Sequence, residues 1–585
     1  MMHEDNEGSL ALLKERIKDH LEVLYPVEDV DVLADSIIYI MRYEDRIEQP
    51  MRHTNLWDQN DVVTITYANT ISQQGETPLV TLKKFANERL DEMVSIIHIL
   101  PFYPWSSDDG FAVIDYAEVS DVYGTWKDIN DIAWDFKLMA DLVINHVSSE
   151  SEWFMNYQKD KVPGKGYFVQ CNPDTDLSRV VRPRTSSLLR ETDTVRGKRH
   201  VWCTFSHDQV DLNFANPEVL LEFTRIIKLY LDQGVRVFRL DAIAFLWKTL
   251  GTECINLSET HEMVRLLRTL IEHVDAGAIL ITETNIPNRE NLSYFGNANE
   301  AHLIYNFALP PLVLYTMLSG NAHHLKQWMM SMPPAQNGTA YFNFIASHDG
   351  IGLRPVEGML SEETVDKMVD MIRDFGGEVS WRSLDDNIQR PYELNISLFD
   401  AMKGTFAGED GYQLDRFICA HAIMLALEGI PAFYIHSLFA TPSDHEKMER
   451  RNNKRSINRH EWDYDELCAV LDEPGSVHSQ AFEKLRELVL IRKGQPAFHP
   501  NAIQFTMHFD DALFAFWRQS NDRSQSIFCI YNVTNKPREL SLQDVNLVEM
   551  DDWHNLVGGR HYTDQRGTLH LQPYEFVWIS NRRIE

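Results

Sequence analysis

Val235-Arg236-Val237-Phe238-Arg239-Leu240-Asp241 is a short run rich in β-branched residues, closed by a carboxylate. An amphipathic helical stretch precedes it at 217–231 and another follows at 261–273. Outward from this unit the pattern repeats. Apolar runs at 62–67, 96–100, 138–144, 279–281, 303–307, 341–346 and 432–435 bring the total to eight, separated by helical stretches. Eight parallel-type strands alternating with helices are what a (β/α)8 TIM barrel requires. A four- or five-strand doubly wound sheet would leave several runs unplaced.

The flanks read differently. Within 1–60, Leu10, Leu13, Ile17, Leu21 and Leu24 recur three or four apart in a charged background, which predicts an N-terminal helical extension. The barrel then occupies 61–500. Two connections, about 147–230 and 350–415, are too long for ordinary loops and predict inserted subdomains, and loops of that size are usually functional. From 501 to 585 strict alternation replaces the helical pattern, as in Ala512-Leu513-Phe514-Ala515-Phe516-Trp517, so a C-terminal antiparallel β domain is expected. The fold class is therefore α/β.

Composition narrows the function. The 585 residues carry 55 Lys+Arg against 87 Asp+Glu, a formal net charge of −32. Such a surface repels polyphosphate backbones and anionic lipid headgroups, so nucleic acid and membrane are excluded as partners. The six cysteines have no CxxC or Cys/His ligand spacing and read as reduced thiols. The acidic, non-apolar N-terminus is no secretory signal, and the apolar stretch 417–435 is broken by Gly429-Ile430-Pro431, as a helix followed by a strand would be. A cytoplasmic location is expected. Any anionic substrate must then be drawn in by local cations against the field of the whole chain.

In a (β/α)8 barrel the chemistry sits at the C-terminal strand ends. Here the third run ends Asn145-His146, the fourth Arg239-Leu240-Asp241, the fifth Thr282-Glu283, and the seventh continues into Ser347-His348-Asp349. One such residue could be a loop cap or half of an ion pair; four in succession point to a site. Two carboxyl groups at close range suit cleavage of a glycosidic bond with retention, one ionised to attack the anomeric carbon and one protonated to assist the leaving oxygen. Arg239, on the same strand face as Asp241, would favour the charged form of that carboxylate. Nothing comparable in sequence accompanies Glu283.

The segments Asp141-Leu-Val-Ile-Asn145-His146, Phe238-Arg-Leu-Asp-Ala242, Thr282-Glu-Thr284 and Ala346-Ser-His-Asp349 resemble, in order, the four short conserved regions of the α-amylase superfamily of glycoside hydrolases. The resemblance implies Asp241 as nucleophile, Glu283 as acid/base and Asp349 as transition-state stabiliser, with His146 and His348 donating to sugar hydroxyls. Leu100 to Phe111, Phe205-Ser-His-Asp-Gln209 and Asn453-Lys-Arg-Ser-Ile-Asn-Arg459 resemble the sucrose-phosphorylase-like subfamily, in which orthophosphate intercepts a covalent glucosyl-enzyme. That implies Asp108 and Arg459 gripping the far side of the glucosyl ring, Phe111 stacking on it, and Phe205 and Gln209 lining the donor site. It implies no cofactor and, despite Asn145, no metal.

The helical extension, Val180-Val-Arg182-Pro-Arg184 and Arg390-Pro-Tyr392-Glu393-Leu-Asn395 are most similar to the branch of that subfamily acting on glucosylglycerate. This implies D-glycerate and orthophosphate as partners of an α-glucoside. Glu393 would accept two hydroxyls of a small polyol fragment, and Tyr392 would shape the pocket. Arg182 and Arg184 have the planar fork that holds a carboxylate or phosphate. Sucrose, sucrose 6′-phosphate and glucosylglycerol remain alternatives, as do an α-glucosidase or transglucosidase and a sugar-sensing barrel without catalysis. The N-terminal helices are expected to pack on the barrel, with a homodimer contact as the alternative.

Overall fold

The computed structural model describes residues 2–383, 389–545, 547, 552–562 and 566–581. Eight strands close a parallel barrel in sequential order: β1 (Val63–Thr66), β2 (Ile96–Ile99), β3 (Lys137–Val143), β4 (Val235–Asp241), β5 (Ile279–Thr282), β6 (Leu303–Tyr305), β7 (Ala340–Asn343) and β8 (Ile430–Tyr434). Each is almost wholly buried, because helices cover the outside and side chains fill the inside. Register sets the site: Arg239 of β4 pairs with Asp141 of β3 and Ile281 of β5, and Asp241 with Val143.

The first two helices, α1 (Met2–Leu24) and α2 (Val30–Met41), lie on the outer layer. α1 packs against α4 (Ser258–Val274), and α2 against α3 (Pro217–Asp232). Leu13, Ile17, Leu21 and Leu24 are buried, and Leu10 is partly so. Tyr25 Oη donates to the Phe214 carbonyl at 2.9 Å, and His20 meets Glu262 at 2.5 Å. The extension is thus fixed to the barrel by its apolar stripe and by polar ties at its edge.

Before β8, the stretch 417–435 resolves into α5 (Gln413–Ala426) and the strand. Gly429 joins them at φ +123°, where a Cβ would lie 2.6 Å from the Tyr341 carbonyl oxygen, so the turn requires glycine. No helix among the described residues is long and apolar enough to cross a membrane.

Past α6 (Val477–Lys493), a five-stranded antiparallel sheet contains β9 (Ile503–Thr506), β10 (Leu513–Gln519), β11 (Ser526–Asn532) and Phe576–Ser580. Its Arg518 is fully buried and donates to the carbonyls of Ala426 at 2.5 Å and His499 at 2.8 Å. Arg492 of α6 likewise donates to Leu425 at 2.9 Å and Phe498 at 3.2 Å. These guanidinium groups satisfy backbone oxygens that would otherwise be stranded where barrel and sheet meet.

Two insertions rise over the C-terminal ends of the strands. The first carries His146–Ser148 paired with Gln209–Asp211, and a hairpin of Leu189–Thr194 with Gly197–Trp202. The second carries a three-stranded sheet in which Gln389–Asn395 lies between Ile351–Gly352 and Glu378–Ser383.

Candidate active site

The strand ends and both insertions enclose one cavity of about 680 Å³, counted to its open mouth. Its lining includes Asp108, Phe111, His146, Arg184, Phe205, Gln209, Asp241, Glu283, His348, Asp349, Tyr392 and Glu393. Residues spread over almost three hundred positions of chain therefore meet in one place.

Arg239 is the hub. Its guanidinium pairs with Asp141, lies 2.6 Å from Asp241 Oδ1, and reaches Glu283 Oε2 at 4.0 Å. Asp141 is fully buried and also takes His98 at 2.6 Å, so it holds the guanidinium from below. Sequence reading assigns Arg239 to Asp241 alone; the structure shows both carboxyls on one cation, because β4 and β5 are adjacent and in register.

Burial raises the pKa of Asp241 more than Arg239 lowers it. For Glu283, burial is again the largest cause, opposed by Arg239 and reinforced by Asp241, and it pushes the group up to about 7. Asp241 has the closer contact with the cation, which favours its charged form more than that of Glu283. Glu283 holds the proton near neutrality, with its Oε2 2.9 Å from the Ala242 amide.

Asp349 behaves oppositely. Burial would raise its pKa, but Arg455 at 2.6 Å, then His348 and Arg459, hold it well below the usual carboxylate range. His348 is kept neutral by burial, with its pKa lowered to about 3. Its ring lies parallel to Phe111 at 5.0 Å, so one face of Phe111 is covered by imidazole. His146 Nε2 is 2.9 Å from the Phe111 carbonyl and 3.2 Å from Gln209 Nε2, and that amide lies 3.2 Å from Asp108 Oδ2. Asp108, His146 and Gln209 thus form one hydrogen-bonded wall.

Several expected positions differ. Arg459, expected beside Asp108 at the glucosyl ring, is not among the residues lining the cavity: it is buried behind His348, donates to its carbonyl at 2.8 Å, pairs with Asp109 at 2.6 Å and lies 3.6 Å from Asp349 Oδ1. Arg182 turns back to the Ser186 carbonyl within its own loop, whereas Arg184 lines the cavity over the rings of Tyr392 at 5.5 Å and Phe205 at 5.9 Å. Glu393 is not a free carboxylate. Arg455 clasps both its oxygens, at 3.0 and 2.5 Å.

Arg455 is the residue sequence reading passed over, although it stands inside a quoted segment. It pairs with Asp349 and Glu393 at once, and only the fold brings them to it. Arg354 also lines the cavity, and nothing in its local sequence signals it.

Asn145 meets a cation of the chain's own. Lys248 Nζ lies 2.7 Å from Asn145 Oδ1 and 2.6 Å from Asp211 Oδ2, buried between them. With both oxygens engaged by an ammonium group, these residues do not fit a divalent ion. Among the described residues there is no cluster of three or more side chains that could hold a metal.

Residues 90–369 match the model of the α-amylase catalytic domain, and 503–578 that of the maltogenic amylase C-terminal domain. The chain is 40% identical over 575 residues to glucosylglycerate phosphorylase of Allomeiothermus silvanus, covering 97% of this chain and 98% of that one. It is also 40% identical over 535 residues to glucosylglycerate phosphorylase of Spirochaeta thermophila, covering 90% and 91%. Among solved structures, sucrose 6F-phosphate phosphorylase from Thermoanaerobacter thermosaccharolyticum superposes with a TM-score of 0.70 at 25% identity, covering 81% of this chain and 94% of that chain. The barrel, its C-terminal sheet and near-full-length identity to these enzymes agree: the chain belongs to the α-amylase superfamily, in the group that contains the glucosylglycerate phosphorylases.

Proposed function

We propose that the protein is a retaining phosphorylase that converts 2-O-α-D-glucosyl-D-glycerate and orthophosphate reversibly to α-D-glucose 1-phosphate and D-glycerate. One observation carries this reading. The cavity that pairs an ion-paired Asp241 with a protonated Glu283 also holds two guanidinium groups, Arg184 and Arg354, with no ion-pair partner among the described residues. Guanidinium groups without an ion-pair partner suit an enzyme whose leaving group and second nucleophile are both anions.

The steps follow from the groups present. Asp241 attacks C1 as Glu283 protonates the glycerate oxygen, giving a glucosyl ester of Asp241. Asp349, kept ionised, grips the sugar hydroxyls as positive charge grows at C1. Glycerate leaves, phosphate enters beside the guanidinium groups, and its oxygen attacks C1 from the face glycerate left, so the configuration is retained. The donor wall is Asp108, Phe111, His146, Phe205, Gln209 and His348. Two insertions rising over the site limit the access of water to the ester. We place the enzyme in the cytoplasm. A homodimer would form through the exposed apolar side chains of the N-terminal extension, Val23 and Tyr39 on its helices and Val27 in the turn between them.

The test is a trapped ester. Glu283→Gln incubated with α-glucosyl fluoride, whose leaving group needs no acid, and without phosphate should gain one glucosyl residue on the peptide bearing Asp241. Phosphate should discharge it as α-glucose 1-phosphate. A label on another residue, or none, overturns the double displacement.

A further inference from the structure

Arg354 lies on the short turn Arg354–Val356, anchored by the buried side chains of Leu353 and Val356. Its side chain lines the catalytic cavity, and among the described residues it has no ion pair. Burial and the like charge of Arg382 depress its pKa more than the carboxylates of Glu357 and Glu290 raise it, so this cation is held at a cost with no ion pair to offset it. Arg382 itself is paired with Glu357.

Asn285 stands two residues beyond Glu283 and lines the same cavity. Its Oδ1 is buried with no hydrogen-bond partner. Gly352, two residues before Arg354, makes room for this amide: a Cβ there would lie 2.9 Å from Asn285 Nδ2. One wall therefore presents a half-buried cation without an ion pair and a buried acceptor lacking a donor. Native structures leave few such groups unsatisfied, and two on one wall of a cavity suit a ligand that supplies both partners.

We propose that Arg354 and Asn285 form the subsite that reads the leaving hydroxy acid: Arg354 holds its carboxylate, and Asn285 accepts a hydrogen bond from its free hydroxyl. This rests on the phosphorolysis reading above and deepens it. The other cavity arginines are suited to different tasks. Arg455 is fully committed to Asp349 and Glu393. Arg184 belongs to the insertion loop and lies over the Phe205 and Tyr392 rings, a position open to the later arrival of phosphate. Arg354 follows directly on the Ile351–Gly352 strand of the second insertion and shares the cavity wall of Asn285, two residues beyond Glu283, which suits it to read an acceptor whose oxygen must meet Glu283.

The experiment runs the reaction in reverse, transferring glucosyl from glucose 1-phosphate to D-glycerate or to glycerol, which has the hydroxyls without the carboxylate. The readout is the ratio of the two kcat/KM values. Arg354→Gln should lower the glycerate-to-glycerol ratio by about 100-fold, the size of a lost buried charge pair. Arg354→Lys should recover part of it, since it keeps the charge without the fork. Asn285→Ala should lower both values together and leave the ratio within several-fold. An unchanged ratio in Arg354→Gln overturns the assignment.

If that variant does not fold, the unmodified enzyme answers through D-glyceramide, a neutral isostere of glycerate. Discrimination against it of about 100-fold supports a buried carboxylate reader, and equal use overturns it. Failure of the underlying reading is distinct: the unmodified enzyme would then transfer to no acceptor from glucose 1-phosphate.

Discussion

Glu283 and Asp241 share one guanidinium and differ in how closely they approach it, and in the double displacement proposed above that difference divides their roles. Because the acid must carry its proton, kcat/KM for the glucoside should fall as pH rises through about 7, the value to which burial pushes Glu283. Glu283→Gln should lower the rate by about 100- to 10,000-fold on donors with poor leaving groups and abolish that alkaline limb. A limb that persists in the variant contradicts the assignment. Asp241→Asn should remove all turnover, since no ester can form. These carboxylates were legible in the sequence because each closes an apolar run, and the strand end is where this fold does chemistry. Arg455, Arg354 and Lys248 were not. Each acts on a partner distant along the chain, and an arginine in a loop reads the same whether it faces solvent or a carboxylate. Arg182 and Arg459 illustrate the converse: their residue type is right for an anion, yet the first bonds its own loop and the second pairs with the chain's own Asp109 and Asp349.

The barrel strands were legible because burial on both faces makes them continuous apolar runs, and the N-terminal helices because their stripe repeats at helical spacing. The strands of the insertions were not, being short and mixed in polarity, as Glu378–Ser383 and Gln389–Asn395 are. They matter for the acceptor side. Gly350 abuts the second of them: a Cβ there would lie 2.8 Å from Asn395 Oδ1 and 2.9 Å from Glu393 Cβ. Gly350→Ala should therefore displace Glu393 and Tyr392 and raise KM for glycerate more than KM for glucose 1-phosphate; equal changes would show that the strand does not shape the acceptor side. The first insertion is tied to β4 through Lys248, Asp211 and Asn145. Lys248→Met would strand the Asp211 carboxylate without its cation, at a cost of about 3–5 kcal/mol. A clear drop in thermal midpoint checks this, and an unchanged midpoint would mean that the ammonium is dispensable.

The net charge of −32 bears on both anions the enzyme must admit. At low salt the field of the protein opposes phosphate and glycerate, while the guanidinium groups act only at close range. Raising ionic strength from about 10 to 150 mM shortens the Debye length from about 30 to 8 Å and should raise kcat/KM for phosphate several-fold. A fall instead would mean that local attraction dominates the approach. Five carboxyl groups line the catalytic cavity, Asp108, Asp241, Glu283, Asp349 and Glu393, and three of them, Asp241, Asp349 and Glu393, are ion-paired with Arg239 or Arg455. The account as a whole stands or falls on one measurement: glucose 1-phosphate released when the protein is given phosphate with glucosylglycerate, glucosylglycerol, sucrose or sucrose 6′-phosphate in turn. Release should be fastest from glucosylglycerate, with little free glucose. Faster release from sucrose would contradict the acceptor assignment, and free glucose without glucose 1-phosphate would contradict phosphorolysis itself.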